Sequence, residues 1–422
     1  MKNSISSIFK NEAQQFTSLD SNCRRLIVSN FIYSFVYLIL PMIANYFIFL
    51  EFQGLGQQEM IKYNITYFVG YFGFIPIGFI LNGYILRYIK INHLYIIGMM
   101  AEIFVIIPLT FLHIKTLLPL FLIGNVMGIS SGLYWSNRHY MAYFVTNNEN
   151  RNYVFGLENA LMNMGGFVTP LIFAFLTGVA GFTLVALFPG LPSSTGKSIL
   201  ALFLVSLITV SSINILKGKF HNPEMKPFLF WKFCKTWNKQ RLMNFLEGLT
   251  NGVLIVMPSL IMLHIFKDSG PVGLLQSIGI LVGLIPVYLL GRFTKPRHRI
   301  HILFIGGILL IVSSIILAIG FDKTAAMIFI LSANVVFALL WMPFLAIRMR
   351  SINLSELQDK YEEYSYIVDI EVFFALGRVM GFAVFLGVYF YASQIFALRY
   401  SFLIVALVPI IASQIARTIK QE

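Results

Sequence analysis

Two halves of this chain repeat each other, and no other feature limits the fold as much. Gly73-Phe74-Ile75-Pro76, near the end of one apolar run, returns as Gly283-Leu284-Ile285-Pro286 near the end of another. Pro41 leads to Ile48-Phe49, and Pro258 leads to Ile265-Phe266. Arg24 and Arg241 precede those two prolines at equal distance, Trp135 has a counterpart in Trp341, and Tyr153 and Glu158 match Tyr366 and Glu371. The offset stays between 206 and 217 residues in a chain of 422. Paired apolar segments of this kind describe two similar bundles with an interface between them, where a membrane protein keeps its working site.

The apolar segments are long enough to be membrane spans. The chain is 58% hydrophobic and only 12% charged, with a mean hydropathy of +0.78, whereas a soluble domain has about a quarter charged residues. A bilayer crossing takes about 20 mostly apolar residues. About twelve such runs are present, at roughly 25–50, 63–87, 93–113, 117–146, 152–180, 198–217, 241–266, 271–291, 300–320, 324–349, 364–391 and 396–417. None alternates polar with apolar, as a barrel strand does. The fold class is therefore an all-α polytopic membrane protein of about twelve transmembrane helices in two pseudo-symmetric six-helix bundles.

A formal net charge of +13 would suggest nucleic acid in a soluble protein, but here the charge is sorted by side. With the N-terminus inside, inner segments hold 23 of the 31 Lys and Arg residues. The outer loops hold about one each: Lys62, Lys115, Lys197, Lys267, Lys323 and Arg399. This positive-inside bias places both termini in the cytoplasm, in the inner membrane if the source is prokaryotic, and excludes a nucleic-acid partner. Residues 1–22 are polar and do not read as a signal peptide. Cys23 and Cys234 both fall on the reducing inner side, so no disulfide is expected.

These features divide the chain into a cytoplasmic segment 1–24, a first bundle 25–217, a basic linker 218–240, a second bundle 241–417 and a tail 418–422. In the linker, Trp231 and Trp237 are placed at the interface on a short amphipathic helix. Gly190 to Ser198 imitates a phosphate-binding loop, but it has one residue too many between its glycines and no preceding strand. ATP is therefore not expected as the energy source. No metal-ligand spacing or nucleophile–base pair stands out, so neither a cofactor, a metal nor enzymatic chemistry is expected.

Twelve spans in two halves with a basic central loop resemble the major facilitator superfamily of secondary transporters, over nearly the whole chain. The family's loop between spans 2 and 3 reads Gly-x-x-x-Asp-Arg-x-Gly-Arg-Arg. Here the stretch from Gly78 departs from it, with Asn82 in place of Asp and Gly83 in place of Arg, before Arg87. The equivalent loop after span 8 has Gly291-Arg292-Phe293-Thr294-Lys295. The exporter motif of span 5 is also imperfect, at Gly165-Gly166-Phe167-Val168-Thr169-Pro170. The resemblance implies a central cavity lined by spans 1 and 7 and transport by alternating access.

Charges inside spans cost about 2.5–3.5 kcal/mol each at a helix centre, so each needs a partner or a water-filled cavity. Arg138, Glu158, Glu247, Glu371 and Arg378 are the candidates for proton coupling or gating, joined by Glu102 and Asp369. Arg138 and Glu158 stand roughly 15 Å to either side of the turn near residue 148, at one depth on antiparallel helices, and are expected to pair. That pair fits a structural salt bridge, a gate, or a carboxylate whose proton affinity the arginine tunes. Glu371 matches Glu158 by symmetry, but Phe344 stands where a second arginine is wanted, so Arg378 is its expected partner. His139 fits either a proton relay or a packed core residue.

Substrate-cavity candidates are Asn30, Tyr33 and Tyr37 on span 1, Tyr134 and Trp135 on span 4, and Asn163 on span 5. Asn251 on span 7, Gln276 on span 8 and Trp341 on span 10 complete the set. Together they describe a polar, aromatic-walled cavity suited to a hydrogen-bonding organic solute, although any one of them also fits interhelical glue. Pro41, Pro76, Pro258 and Pro286 are expected to interrupt their helices, and Gly128, Gly132, Gly165 and Gly166 to bring spans 4 and 5 together. The resulting expectation is a secondary transporter for a small polar solute, coupled to a proton or sodium. A drug or metabolite efflux pump and a non-transporting membrane sensor or assembly factor stand as alternatives.

Overall fold

Apolar runs with no alternation can satisfy their backbone in a bilayer only as helices, and helices are what form. The computed structural model describes residues 5–52, 57–111, 116–177, 193–222, 225–266 and 269–421, and no strand occurs among them. A first helix, α1 (Ile5–Ser18), is followed by α2 (Ser21–Phe52), α3 (Gln57–Ile85), α4 (Ile91–Phe111), α5 (Leu117–Val145), α6 (Arg151–Thr177) and α7 (Ser193–Leu216). The second half has α8 (Lys235–Phe266), α9 (Ser269–Phe293), α10 (Arg299–Gly320), α11 (Lys323–Asp359), α12 (Glu363–Tyr391), α13 (Gln394–Ala406) and α14 (Val408–Gln421). Among the described residues, seven spans are long and apolar enough to cross a membrane, and shorter apolar helices accompany them.

The two halves reuse one packing scheme. In the first, α3 and α4 pack on α5 and α2 packs on α6; in the second, α9 and α10 pack on α11 and α8 packs on α12. The seam between halves uses matched pairs as well, α6 against α9 and α12 against α3.

Loops from both halves knit together on one end of the molecule, here the terminal face. Asn22 Nδ2 donates to the Lys219 carbonyl (3.0 Å), the Ile91 amide to Asn222 Oδ1 (2.9 Å) and the Cys234 amide to Asp359 Oδ2 (3.0 Å). These bonds fix the connection between halves as an ordered strap without helix in its described part, 219–234. The amphipathic helix expected there does not form. Trp231 is 91% exposed, and Trp237 is buried inside the first turns of α8, where its indole donates to Asp369 Oδ2 (2.7 Å). The second bundle's first helix thus starts at Lys235 rather than at residue 241.

Three further expectations are corrected. Pro76, Pro258 and Pro286 sit inside continuous helices, because a proline removes one N–H bond and close neighbours hold the rest of the helix. The α2 backbone also continues through Pro41, whose side chain lies outside the described residues. The last apolar run is instead broken at Leu407, two residues before Pro409. Gly128 and Gly132 do not face span 5. A Cβ on either would meet the Tyr71 or Ile75 carbonyl of α3 at 2.2 and 2.3 Å, so they seat α5 on α3. Gly165 faces Ser34 of α2, and Gly166 faces Ile280 of α9 across the seam. Helices adjacent in sequence are not the ones packed most closely here. Gly190 to Pro192 of the phosphate-loop look-alike lies outside the described residues, and the side chains of Ser193 to Ser198 do so as well.

Candidate functional site

In the first half, a buried carboxylate organises the polar residues of four helices. Glu158 on α6 accepts from both Arg138 (α5) and the amide nitrogen of Asn30 (α2). Asn30 is fixed in turn, its Oδ1 accepting from Tyr95 (2.7 Å) and Tyr134 (3.1 Å). The α5 and α6 backbones stand apart, so the pair forms through the length of the arginine, whose guanidinium also lies 5.8 Å from the Trp135 ring centre. A small hollow opens on this cluster, lined by Asn30, Tyr33, Tyr37, Tyr134, Trp135, Arg138 and Glu158 among others. Tyr37 packs edge-on against Trp135 (5.4 Å) and Tyr33 against Tyr134 (4.3 Å). His139 is buried, with Nδ1 3.0 Å from Arg138 Nη1 and its ring stacked on Trp135.

The second half builds a similar hollow by other means. Glu247 on α8 takes its hydrogen bond from Arg348 Nη2 of α11 at 2.5 Å, with both side chains buried. Arg348 stands one turn beyond Phe344 and pairs with Glu247, while Glu371 takes Arg378 as its partner, as expected. Arg378 donates to Glu371 Oε1 (3.1 Å) and to Asn251 Oδ1 (3.0 Å). Its guanidinium is sandwiched between the Phe374 ring (3.8 Å) and the Phe72 ring of the opposite half (4.8 Å). A small hollow is lined by Glu247, Thr250, Asn251, Leu254, Phe337, Leu340, Trp341 and Phe344.

Of the sequence candidates, Asn163 is half-buried on α6 and does not line either hollow, and the Gln276 side chain lies outside the described residues. Arg348 was hidden in the sequence because a basic residue near the end of a span reads as a loop anchor. Asp369, counted with the buried charges, is buried and holds the start of α8 through Arg241 at 2.7 Å.

Toward the terminal face the seam is shut. Asn82 and Asn137 exchange amide hydrogen bonds (3.1 and 2.8 Å), and Asn82 also donates to the Tyr364 hydroxyl of the other half (3.0 Å). Tyr364 donates onward to the Phe79 carbonyl (2.7 Å). Along the α6–α9 line, Asn152 donates to the Thr294 carbonyl (2.6 Å) and Arg299 to Asn152 and Asn148 (2.8 and 3.1 Å). Glu12 of α1 binds both halves at once, accepting from Tyr153 of the first (2.7 Å) and from Tyr288 and Arg292 of the second (2.7 and 2.5 Å).

The two-bundle fold has parallels among solved structures. The transporter FucP in its outward conformation superposes with a TM-score of 0.67 over 96% of this chain and 100% of its own, at 14% identity. The chain has the major facilitator fold. A bacterial homologue of the iron transporter ferroportin, in its outward-facing state, gives 0.66 over 95% of this chain and 100% of its own, at 14% identity. The human organic anion transporter MFSD10 (TETRAN) gives 0.65 over 94% and 98%, at 12% identity. The uncharacterized protein YqgE of Bacillus subtilis (strain 168) is 23% identical over 323 residues, 74% of this chain and 71% of its own. No family model matches the sequence. Within the major facilitator fold, one hollow lies among α2, α5 and α6 of the first bundle and the other between α8 and α11 of the second.

Proposed function

We propose that this chain is a secondary active transporter that moves a small polar organic solute by alternating access, driven by a proton gradient. The observation that carries the reading is a pair of hollows, one in each half, together with a seam held shut toward the terminal face by contacts that can separate. Each hollow is lined by a tryptophan, a carboxamide and the carboxylate of an arginine–carboxylate pair. Trp135 and Trp341 supply flat apolar faces, while Asn30 and Asn251 present hydrogen-bonding groups held in place by their neighbours.

The charge balance narrows the solute. Arg138, Arg348 and Arg378 are each matched by a carboxylate, Glu158, Glu247 and Glu371. A neutral or zwitterionic solute can exchange hydrogen bonds with such pairs without leaving a buried charge uncompensated, which a lipophilic cation or a simple anion cannot do. Solved structures of this fold include an organic anion transporter, an iron transporter homologue and an E. coli fucose:proton symporter, proteins of different cargo. The shared fold therefore supports transport, and the pocket chemistry selects the solute class. Both termini lie on the cytoplasmic side in this reading, as the distribution of basic residues requires.

The test is a thermal-shift screen of the purified protein against sugars, amino acids, nucleosides, organic acids and cationic drugs, at acidic and neutral pH. A ligand of the folded state raises Tm by mass action. Stabilisation by a neutral or zwitterionic polar class, lost in Trp135→Ala and Trp341→Ala, is expected, together with uptake of that solute into liposomes under an inward proton gradient. Shifts with lipophilic cations alone would replace this reading with drug efflux. Binding with no flux under any gradient would replace it with a membrane sensor.

A further inference from the structure

Four carboxylates in the bundle cores are paired with arginines: Glu158, Glu247, Glu371 and Asp369. Glu102, on α4, is different. It is fully buried, and among the described residues its bonding partners are two hydroxyls, Tyr33 of α2 at one oxygen and Ser131 of α5 at the other. We infer that Glu102 is the site that takes up and releases the transported proton, linked to the solute hollow through Tyr33. The inference rests on the proton-coupled reading above and moves the proton away from the arginine-paired carboxylates.

The argument begins with the cost of charge. A carboxylate bound to a guanidinium keeps its charge compensated, and protonating it would strand a buried cation. A carboxylate held only by neutral hydroxyls inside a bilayer gains by accepting a proton. The groups facing Glu102 are all neutral in their ordinary state. Tyr33 and Tyr37 come from α2, Ser131 from α5, and Tyr71 and Tyr67 from α3. The described face of α7, from Leu202 to Leu216, has no titratable residue. Arg138, two turns beyond Ser131 on α5, is committed to Glu158.

The network also has a place for the proton to go. Charged Glu102 accepts from both hydroxyls. Once it gains a proton from water, its own O–H must donate, and one hydroxyl must turn away. Ser131 can do this because its Oγ lies 3.2 Å from the Tyr71 hydroxyl, in a contact that runs in either direction. Tyr33 lies at once on Glu102 and on the wall of the first-half hollow, against Tyr134. With Ser131 turned away, the Tyr33 hydroxyl still donates to Glu102, but to a neutral carbonyl oxygen in place of a charged carboxylate, a weaker bond that loosens its hold on the wall of the hollow.

Infrared difference spectra of the full-length protein in lipid, recorded across a pH titration, read proton uptake by a carboxyl directly, without knowledge of the solute. A C=O band of a buried acid is expected to grow as pH falls, to vanish in Glu102→Gln, and to persist in Glu158→Gln and Glu247→Gln. If Glu102→Gln does not purify as a monodisperse protein, Tyr33→Phe and Ser131→Ala decide: each should shift the band frequency by removing one partner of that carbonyl group. A band unchanged in Glu102→Gln, or unchanged in both hydroxyl variants, overturns the inference, as does a band lost in Glu158→Gln. Liposome uptake separates the two levels. A Glu102 band in a protein whose uptake ignores the proton gradient keeps the proton site and removes the coupling. Proton-driven uptake with the band on another carboxyl keeps the coupling and removes Glu102.

Discussion

Gly156 and Gly291 meet backbone to backbone across the seam: a Cβ on Gly156 would stand 2.3 Å from the Gly291 Cα. No side chain is available there to yield, so even a methyl group must push α6 and α9 apart. Gly156→Ala is therefore expected to open the terminal face. Spin labels at Glu149→Cys and Arg297→Cys, both exposed and on opposite sides of this seam, should report a longer distance in the alanine variant. An unchanged distribution would show that the closed seam tolerates the methyl group and that this contact does not set its width.

Glu12 is the only contact described here in which one side chain of α1 joins both bundles. Its partners are partly exposed, with Glu12 at 20% and Arg292 at 21%, so the bond is worth a modest amount, about 0.2–1 kcal/mol after solvent screening. Glu12→Gln should lower the closed-to-open ratio by at most about fivefold on that scale, and amide exchange in α1 should speed up. Protection of α1 equal to that of the parent protein would mean that the apolar face of the helix holds it and that Glu12 does not.

Much of the fold was legible because hydropathy is read one residue at a time. Each of the twelve apolar runs overlaps one helix, or in the last case the pair α13 and α14. The pairing of Arg138 with Glu158 followed from depth alone, and that of Arg378 with Glu371 from helical spacing. What the sequence concealed was lateral placement. Arg151, Arg299 and Arg348 all look like basic loop anchors, yet each is only 2% exposed. Helix α11 continues to Asp359, ten residues past the apolar run, and ends where Lys360 takes a left-handed backbone (φ 59°). That polar extension places Arg348 inside the bundle, and no pattern of hydropathy says which helix will face it. The glycines of α5 were misread for the same reason, since the neighbour in sequence was assumed to be the neighbour in space.

The pair of Glu247 and Arg348 should be costly to break from one side. Arg348→Met leaves Glu247 buried without its partner, a change worth about 3–5 kcal/mol where both groups are sequestered. The double variant Glu247→Gln with Arg348→Met removes both charges and should recover most of that loss. Melting temperatures of the single and double variants in detergent check it; a double variant no more stable than Arg348→Met alone would mean that the pair does not act as a unit.

Reversing the pair of Arg138 and Glu158 should separate packing from function. Arg138→Glu with Glu158→Arg restores an ion pair and should melt above either single variant. It should not restore solute binding, because the Asn30 amide nitrogen would then face a guanidinium. Asn30 cannot simply turn over, since Tyr95 and Tyr134 both donate to its oxygen. Recovery of binding along with stability would show that Asn30 rearranges freely and that the hollow does not depend on its orientation.

Asn82 occupies the position where the superfamily loop usually has aspartate, so Asn82→Asp looks like a return to type, yet the structure predicts that it does harm. The asparagine uses its amide nitrogen twice, toward Asn137 Oδ1 in the same half and toward the Tyr364 hydroxyl across the seam. Tyr364 already spends its own proton on the Phe79 carbonyl, so it cannot turn to serve a carboxylate without giving that bond up. An aspartate donates nothing, leaving Asn137 Oδ1 and the tyrosine oxygen both facing a buried negative charge. Loss of such buried hydrogen bonds costs about 1–3 kcal/mol, and more where a charge is added. The variant should therefore melt below the parent and, in the spin-label pair described above, populate longer distances across the terminal face. Gly83, one residue on, leaves no slack for adjustment: a Cβ there would already collide with Phe228 at 2.5 Å and Tyr364 at 2.7 Å. An aspartate variant as stable as the parent, with the short distance retained, would mean that the Tyr364 bond is not what holds this end of the seam.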